Sequence, residues 1–349
     1  MLRRRLRRPL EAQHWPGAGA ASCLRSPAAV CTGIDAAMAF DCCDGVCVLC
    51  LGARKATRAA SDAAPRDDRE IRVLTHNILA PCWVNSEFYP GIQQELLDAP
   101  TREAKVFDAI ASAEADIVCL QEVQGPQVAT LRSRFGEEFE VPELAANEPT
   151  SAAVPNGVVV LARRNRVYVL STQRIVWNTE GSATLILVGM LMPIGRRLVV
   201  VNSHVAWGES GFDQIQKTLE YLQREFRWPS MDIDVLWCGD FNATPDDAAI
   251  QRLQSIGFSD AFEFRSNFHT FHSMTIASKR IDYILFSGQL RILGSPAVGT
   301  SAEDVPDLEE ASQARRGEWC LETFASDHVP LVASFDLAAG KLCEIGACV

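Results

Sequence analysis

The sequence predicts an α/β fold, on three observations. Short runs rich in Val, Ile and Leu recur between about residues 70 and 336, and several end in polar side chains, the pattern of buried strands that deliver functional groups at their ends. Stretches with apolar residues at three- and four-residue spacing alternate with these runs, and Gly, Pro, Asn and Asp mark the changes. With 349 residues, 48% of them apolar, the chain can bury a sizeable core, so one domain is expected over residues 66–338, after an extension at 1–65 and before a tail at 339–349.

The extension opens with five Arg among its first eight residues and continues rich in Ala, Gly and Ser. That composition fits an organelle transit peptide, and equally a disordered basic tail. The chain is expected to be intracellular and cytoplasmic, with mitochondrial or plastid import as the alternative. Cys42, Cys43, Cys47 and Cys50 crowd together, but no second Cys or His cluster stands nearby to complete a zinc site.

Ile71 to Leu79 reads as a core strand ending at His76 and Asn77. Thr101 caps an expected helix to Ala113, with Ala104, Phe107, Ile110 and Ala111 inward. The run from Asp116 then ends at Glu122. A strand–helix–strand connection makes these strands neighbours, so Asn77 and Glu122 converge. Residues 124–156 are expected to be helical and then loop-like, with Pro142, Pro149 and Pro155, and Asn156-Gly157 leads into an apolar run to Leu161. Further strands are expected at 167–177, 184–192 and 197–203, and a covering helix at 211–226 from Ile215, Leu219 and Leu222.

Val235 to Cys238 is apolar and breaks at Gly239, which delivers Asp240 and Asn242. Thr244 is the expected cap of a helix with Pro245 first and Asp246 and Asp247 in its first turn. A run from Arg280 to Phe286 carries Asp282 at its start. After an acidic loop at 301–318, Ser326-Asp327-His328 leads into the last run.

Charge is uneven. Residues 1–65 hold nine Lys and Arg against five Asp and Glu, a balance of +4, so the remainder carries −15 of the overall −11. An acidic body argues against nonspecific wrapping of a nucleic acid, which relies on Lys and Arg, and suits a carboxylate-lined site that takes a divalent cation before it meets phosphate. Six of the twelve cysteines precede residue 65; Cys119 and Cys238 fall in apolar runs and are expected as buried free thiols. No apolar run reaches about 18 residues, so no membrane-spanning segment is predicted.

Taken alone, each polar strand-end residue has an ordinary explanation. Asp240 and Asn242 suit a tight turn, a lone histidine suits a satisfied core position, and Arg280 suits a surface ion pair. Trp207, Phe264, Phe268 and Phe271 read as packing ahead of base stacking. Together they suggest chemistry. Glu122 and Asp327 offer hard oxygens to Mg²⁺ or Mn²⁺, and Asp240 suits a base or water-positioner. Asn77 and Asn242 can donate to phosphoryl oxygens, and His328, polarised by Asp282, can stabilise charge on a pentacoordinate phosphorus.

The ordered set Thr-His-Asn-Ile-Leu, Leu-Gln-Glu-Val, Asn-Ser-His, Gly-Asp-Phe-Asn-Ala-Thr-Pro, Arg-Ile-Asp-Tyr-Ile and Ser-Asp-His-Val-Pro-Leu resembles the endonuclease/exonuclease/phosphatase superfamily over about residues 70–336. Asn202-Ser-His204-Val-Ala-Trp207, followed by Gln214 and Gln216, is most similar to the carbon-catabolite-repressor-type deadenylase and nocturnin branch. The resemblance implies a four-layer α/β sandwich of two packed mixed β-sheets flanked by helices, with Mg²⁺, or Mn²⁺, and in-line attack by water. It implies Glu122, Asp327 and Asn77 at the metal, and Asp240, Asn242, His328, His204 and Asp282 as the catalytic set. Asn77, Asn242 and His204 fall on the substrate side. Asn156-Gly157 stands where the family has Asp-Gly, Ala325-Ser326 where it has Pro-Ser, and leucine-rich repeats are absent. The expected activity is a deadenylase-like 3′ exoribonuclease acting as a monomer on single-stranded RNA or poly(A). The alternatives are the same site on a small substrate (the 2′-phosphate of NADP, a phosphoinositide or sphingomyelin) and a catalytically silent binding module.

Overall fold

In the computed structural model the described residues are 67–85, 87–146, 155–177, 182–229, 233–265, 268–299 and 312–337. The cysteine cluster at 42–50, the 1–65 extension and the 339–349 tail lie outside them. Chain order runs β1 (Glu70–Asn77), α1 (Gln94–Leu97), α2 (Ala99–Ala113), β2 (Ile117–Gln124), α3 (Gly125–Phe135), β3 (Phe139–Glu140), β4 (Ala145–Ala146) and β5 (Asn156–Arg163). Then follow β6 (Val167–Val176), β7 (Ala183–Leu191), β8 (Arg196–His204), α4 (Glu209–Phe226), β9 (Asp234–Asp240) and α5 (Ala248–Ser255). The chain continues through β10 (Ser259–Asp260), β11 (Asp282–Ser287), β12 (Arg291–Val298), α6 (Gln313–Phe324) and β13 (Leu331–Asp336).

Two mixed sheets form from these strands. One is ordered β12-β13-β1-β2-β5-β3 with β4 also on β5, the other β10-β11-β9-β8-β7-β6. Because successive strand residues point to opposite faces, each buried strand feeds two cores. Val73, Cys119, Val160, Leu187, Val200, Cys238 and Ala333 meet between the sheets. Leu74, Val118, Leu120 and Val159 instead face Val106, Phe107 and Ile110 of α2 and Leu131 and Phe135 of α3. On the opposite side, Val199, Val201, Val235 and Trp237 pack under Ile215, Leu219 and Leu222 of α4 and Ile250 and Leu253 of α5. The layers are therefore helix, sheet, sheet, helix, the four-layer sandwich expected. Cys119 and Cys238 are buried free thiols, as read.

Four local expectations are corrected. α2 is capped by Asp98, whose carboxylate accepts from the Thr101 backbone N–H, and Arg102 and Val106 face inward where Ala104 was expected. Thr244 does not cap α5. The Asp247 carboxylate accepts from the Thr244 N–H and hydroxyl, closing a separate turn, and the helix starts at Ala248. The expected loop at 301–318 gives way to α6, capped by Ser312, from Gln313 onward. Arg280 is not at the surface: it pairs with buried Asp260, and its guanidinium lies over the Phe268 and Tyr283 rings.

Candidate active site

Register alone gathers most of the polar strand ends. β1 and β2 run parallel with Asn77 beside Gln121, and β8 and β9 run parallel with His204 beside Asp240. Antiparallel β11 sets Asp282 directly opposite Asp240. His204, Asp240 and Asp282 thus stand in a row across one sheet. β13 is antiparallel to β1 with Leu331 beside Thr75, so the Ser326–His328 segment arrives at the Asn77 end of the other sheet. Gly239 permits the close β8–β9 approach: its φ is 133°, and a Cβ there would meet the Ser203 carbonyl oxygen at 2.0 Å.

Two bent residues aim the side chains. Glu122 sits at an irregularity of the β2–β5 pairing with φ 59°, a left-handed conformation unusual for a residue with a Cβ. Asn242, with φ 47°, follows Asp240 in the same way, and its N–H donates to Asp240 Oδ1 at 2.9 Å. Asn77 then joins the two sheets: its amide nitrogen donates to Glu122 Oε1 at 2.9 Å and to Asp240 Oδ2 at 3.0 Å, while its oxygen accepts from Leu79 N–H. Both amide hydrogens are engaged, so Asn77 holds two carboxylates where donation to a phosphoryl oxygen was expected. The Asn242 amide likewise gives one hydrogen to the Val205 carbonyl at 2.8 Å and keeps one.

His328 Nδ1 bonds Asp282 Oδ2 at 2.9 Å, and its Nε2 stands 3.7 Å from Asp240 Oδ2. Burial works against its proton, but the charge and hydrogen bond of Asp282, with Asp240 and Asp327 behind them, push the imidazole up to about 10. It is an imidazolium at neutral pH. Asp240 is raised by burial and by the charge of Asp282, against the pull of His328 and His204. One atom from each of Asp240, Asp282 and His328 lies within 4.8 Å of the others, a spacing that suits a cation. With both ring nitrogens protonated, His328 has no lone pair for a metal and is itself the cation there. His204 Nε2 is also 3.7 Å from Asp240 Oδ2, and its Nδ1 is buried without a partner among the described residues.

Asp327 and Glu122 make a second cluster. Burial, and then the charge of Glu122, raise the Asp327 carboxyl against the pull of His328, and Tyr89 donates its hydroxyl to Asp327 Oδ2 at 2.9 Å. Glu122 Oε2 accepts the Ala80 N–H at 2.8 Å. Two carboxylates whose charges oppose one another in this way fit a hard divalent cation, which would relieve their repulsion.

The supporting residues escaped the sequence reading. Arg102, buried on α2, donates to the carbonyls of Ile78, Leu79 and Ala325, tying the end of β1 to the turn before Asp327. The Ser326 hydroxyl donates to the Asn77 carbonyl, and Thr270 Oγ1 accepts the N–H groups of Ile281 and Asp282. Between the sheets, Gln121 donates to Asn202 Oδ1 at 2.7 Å, and Asn202 donates to the Leu120 and Val159 carbonyls. A signal existed for that pair: each shares the strand face of an inward apolar residue two positions earlier, Cys119 and Val200. Phe271 is buried against His328 and Phe268 packs on the core, as read, whereas Trp207 and Phe264 are exposed, against the packing expected of them.

Residues 74–328 match the model of the Endonuclease/Exonuclease/phosphatase family. The chain is 21% identical to the CCR4-Not complex 3'-5'-exoribonuclease subunit Ccr4 of Candida albicans, over 79% of this chain and 42% of that protein. It spans less than half the length of the curated relatives it matches. Among solved structures, ANGEL2, a 2',3'-cyclic phosphatase, in complex with adenosine-2',3'-vanadate superposes with a TM-score of 0.61 at 16% identity, over 76% of this chain and 95% of that one. The human Nocturnin catalytic domain with bound sulfate gives 0.57 at 20% identity, over 76% and 93%. At these identities the superpositions speak for the fold.

Proposed function

This chain belongs to the endonuclease/exonuclease/phosphatase family of hydrolases, and we propose that it is a Mg²⁺-dependent phosphodiesterase, a 3′ exoribonuclease of the deadenylase-like kind. The supporting observation is the Asn77 amide that holds Glu122 and Asp240 together beside an imidazolium. Glu122 and Asp327 would hold the cation, which when bound supplies positive charge to phosphoryl oxygens.

Asp240 orients the attacking water and takes its proton as the oxygen bonds to phosphorus; the phosphorus–ribose 3′-oxygen bond opposite breaks, and that oxygen leaves with a proton from solvent. Its raised pKa makes it a stronger base than a solvated aspartate. The His328 Nε2 proton is not used by Asp240, since 3.7 Å exceeds a hydrogen bond. It is therefore available to a non-bridging oxygen as charge builds on the pentacoordinate phosphorus. Asp282 keeps His328 protonated and oriented. His204 and the remaining Asn242 amide hydrogen serve the substrate phosphate from the second sheet.

A panel of oligo(A), mixed RNA, single-stranded DNA, NADP and a phosphoinositide, each with Mg²⁺ and with EDTA, tests this. Oligo(A) should shorten from its 3′ end in Mg²⁺ and not in EDTA, and Asp240→Asn should lower kcat by about 10²–10⁴. An Asp240→Asn protein with the wild-type rate, or a rate indifferent to EDTA, overturns it. The −15 balance of the body favours a second reading, a small substrate at the same site; release of phosphate from NADP outpacing oligo(A) shortening would select it.

A further inference from the structure

Trp207 is half exposed, at 50%, and the Lys279 ammonium lies over its ring at 4.5 Å from the centroid. A half-exposed indole with a lysine ammonium over its ring, on an acidic body, is not core packing. Both residues are carried by segments that also hold the catalytic groups. Trp207 stands three residues after His204, and the turn between them is fastened on every side. Val205 N–H donates to the Asp240 carbonyl, the Val205 carbonyl accepts from Asn242, and Ala206 N–H donates to Gln214 Oε1. The start of α4 presses on the same turn: a Cβ on Gly211 would meet the Ala206 carbonyl oxygen at 2.0 Å. The Lys279 backbone pairs with Phe271, which pairs in turn with His328. The exposed indole thus rests on a fixed base at the rim of the site, which lowers the ordering a ligand must impose.

We propose that Trp207 and Lys279 form a nucleotide subsite beside the scissile phosphate, in which a nucleobase stacks on the indole and the ammonium pairs with the adjoining phosphate. The proposal rests on the phosphodiesterase reading and specifies its substrate as one that carries a base. The stacking is sequence-tolerant, since every base offers a π face, and the ammonium contact makes binding weaken with salt.

Steady-state kinetics on the full chain test it, with oligo(A) and a matched abasic ribose-phosphate oligomer. Trp207→Ala should raise KM for oligo(A) about tenfold with kcat falling less than about threefold, and Trp207→Phe should recover most of the loss. The abasic oligomer should show little change in KM. Lys279→Met should raise KM for both and flatten the salt dependence, with Lys279→Arg restoring it. Equal losses on the two substrates in Trp207→Ala, or a KM for oligo(A) within twofold of wild type, overturn the subsite. If the wild type hydrolyses no oligo(A), the phosphodiesterase reading fails separately, and calorimetric titration with AMP still decides the subsite. Weakening by Trp207→Ala supports it; equal affinity, or no binding by the wild type, overturns it.

Discussion

Asn77 illustrates how a single side chain can be foreseen in place and misjudged in role. Its position at a strand end beside Glu122 follows from apolar patterning, but sequence does not reveal that the partner of its second amide hydrogen lies 163 residues away on the other sheet. As an amide it binds two anions at once. Asn77→Asp removes both donors and adds a third negative charge between buried Asp240 and half-buried Glu122, where each hydrogen bond to a charged group is worth about 1.5–3 kcal/mol. Hydrolysis by this variant should fall by about 100-fold or more in kcat/KM, and activity within threefold of wild type would remove Asn77 from the arrangement described. Asp240, Asp282, Asp327 and His328 were legible because polar groups bordering apolar runs stand out. Tyr89 was not, because the turn that carries it has no period.

At the scale of elements, the buried strands were read well, the largely exposed β12 and the two-residue β3, β4 and β10 were missed, and helix starts were read poorly. A short unbroken apolar run between polar breaks leaves little freedom, whereas Thr-Pro-Asp-Asp suits both a cap and the Asp247-closed turn that forms. α2 shows what periodicity conceals. Arg102 looks like a surface residue, yet it is buried, and its guanidinium bonds three carbonyls that no helix or strand satisfies. Arg102→Met leaves those carbonyls buried and unpaired, which should lower the unfolding free energy by about 3–5 kcal/mol in urea titrations. Asp108→Ala, in the same helix but in an exposed pair with Arg134, should cost about 1 kcal/mol or less. Equal losses in the two variants would contradict the role given to Arg102.

At the scale of the whole molecule, buried histidines among the described residues stand in opposed states, His328 raised and His76 and His272 lowered, and a pH dependence of stability follows. Burial lowers His76 to about 3 and His272 to about 4, so the folded chain keeps both neutral where the unfolded chain would protonate them below about 6.5. The stability they contribute is complete above that pH and is lost as pH falls towards 4 and then 3, by up to about 1.4 kcal/mol per pH unit for each. Raised carboxylates such as Asp260 act in the other direction, so the test is a difference. Between pH 6.5 and 4.5, His76→Gln should lose less stability per pH unit than wild type, by about that amount; parallel curves would rule it out. The pairing order was the part of the fold least visible in sequence, because it depends on contacts between distant segments. β1 lies between β2, about 40 residues on, and β13, about 260 residues on. A growing polypeptide therefore leaves one edge of β1 unpaired until β13 has been made, about 260 residues later, and the segment bearing Asp327 and His328 arrives with the strand that closes it. Until β13 docks, Asn77, Glu122 and Asp240 stand without Asp327 and His328, so the strand that closes the sheet also completes the cluster.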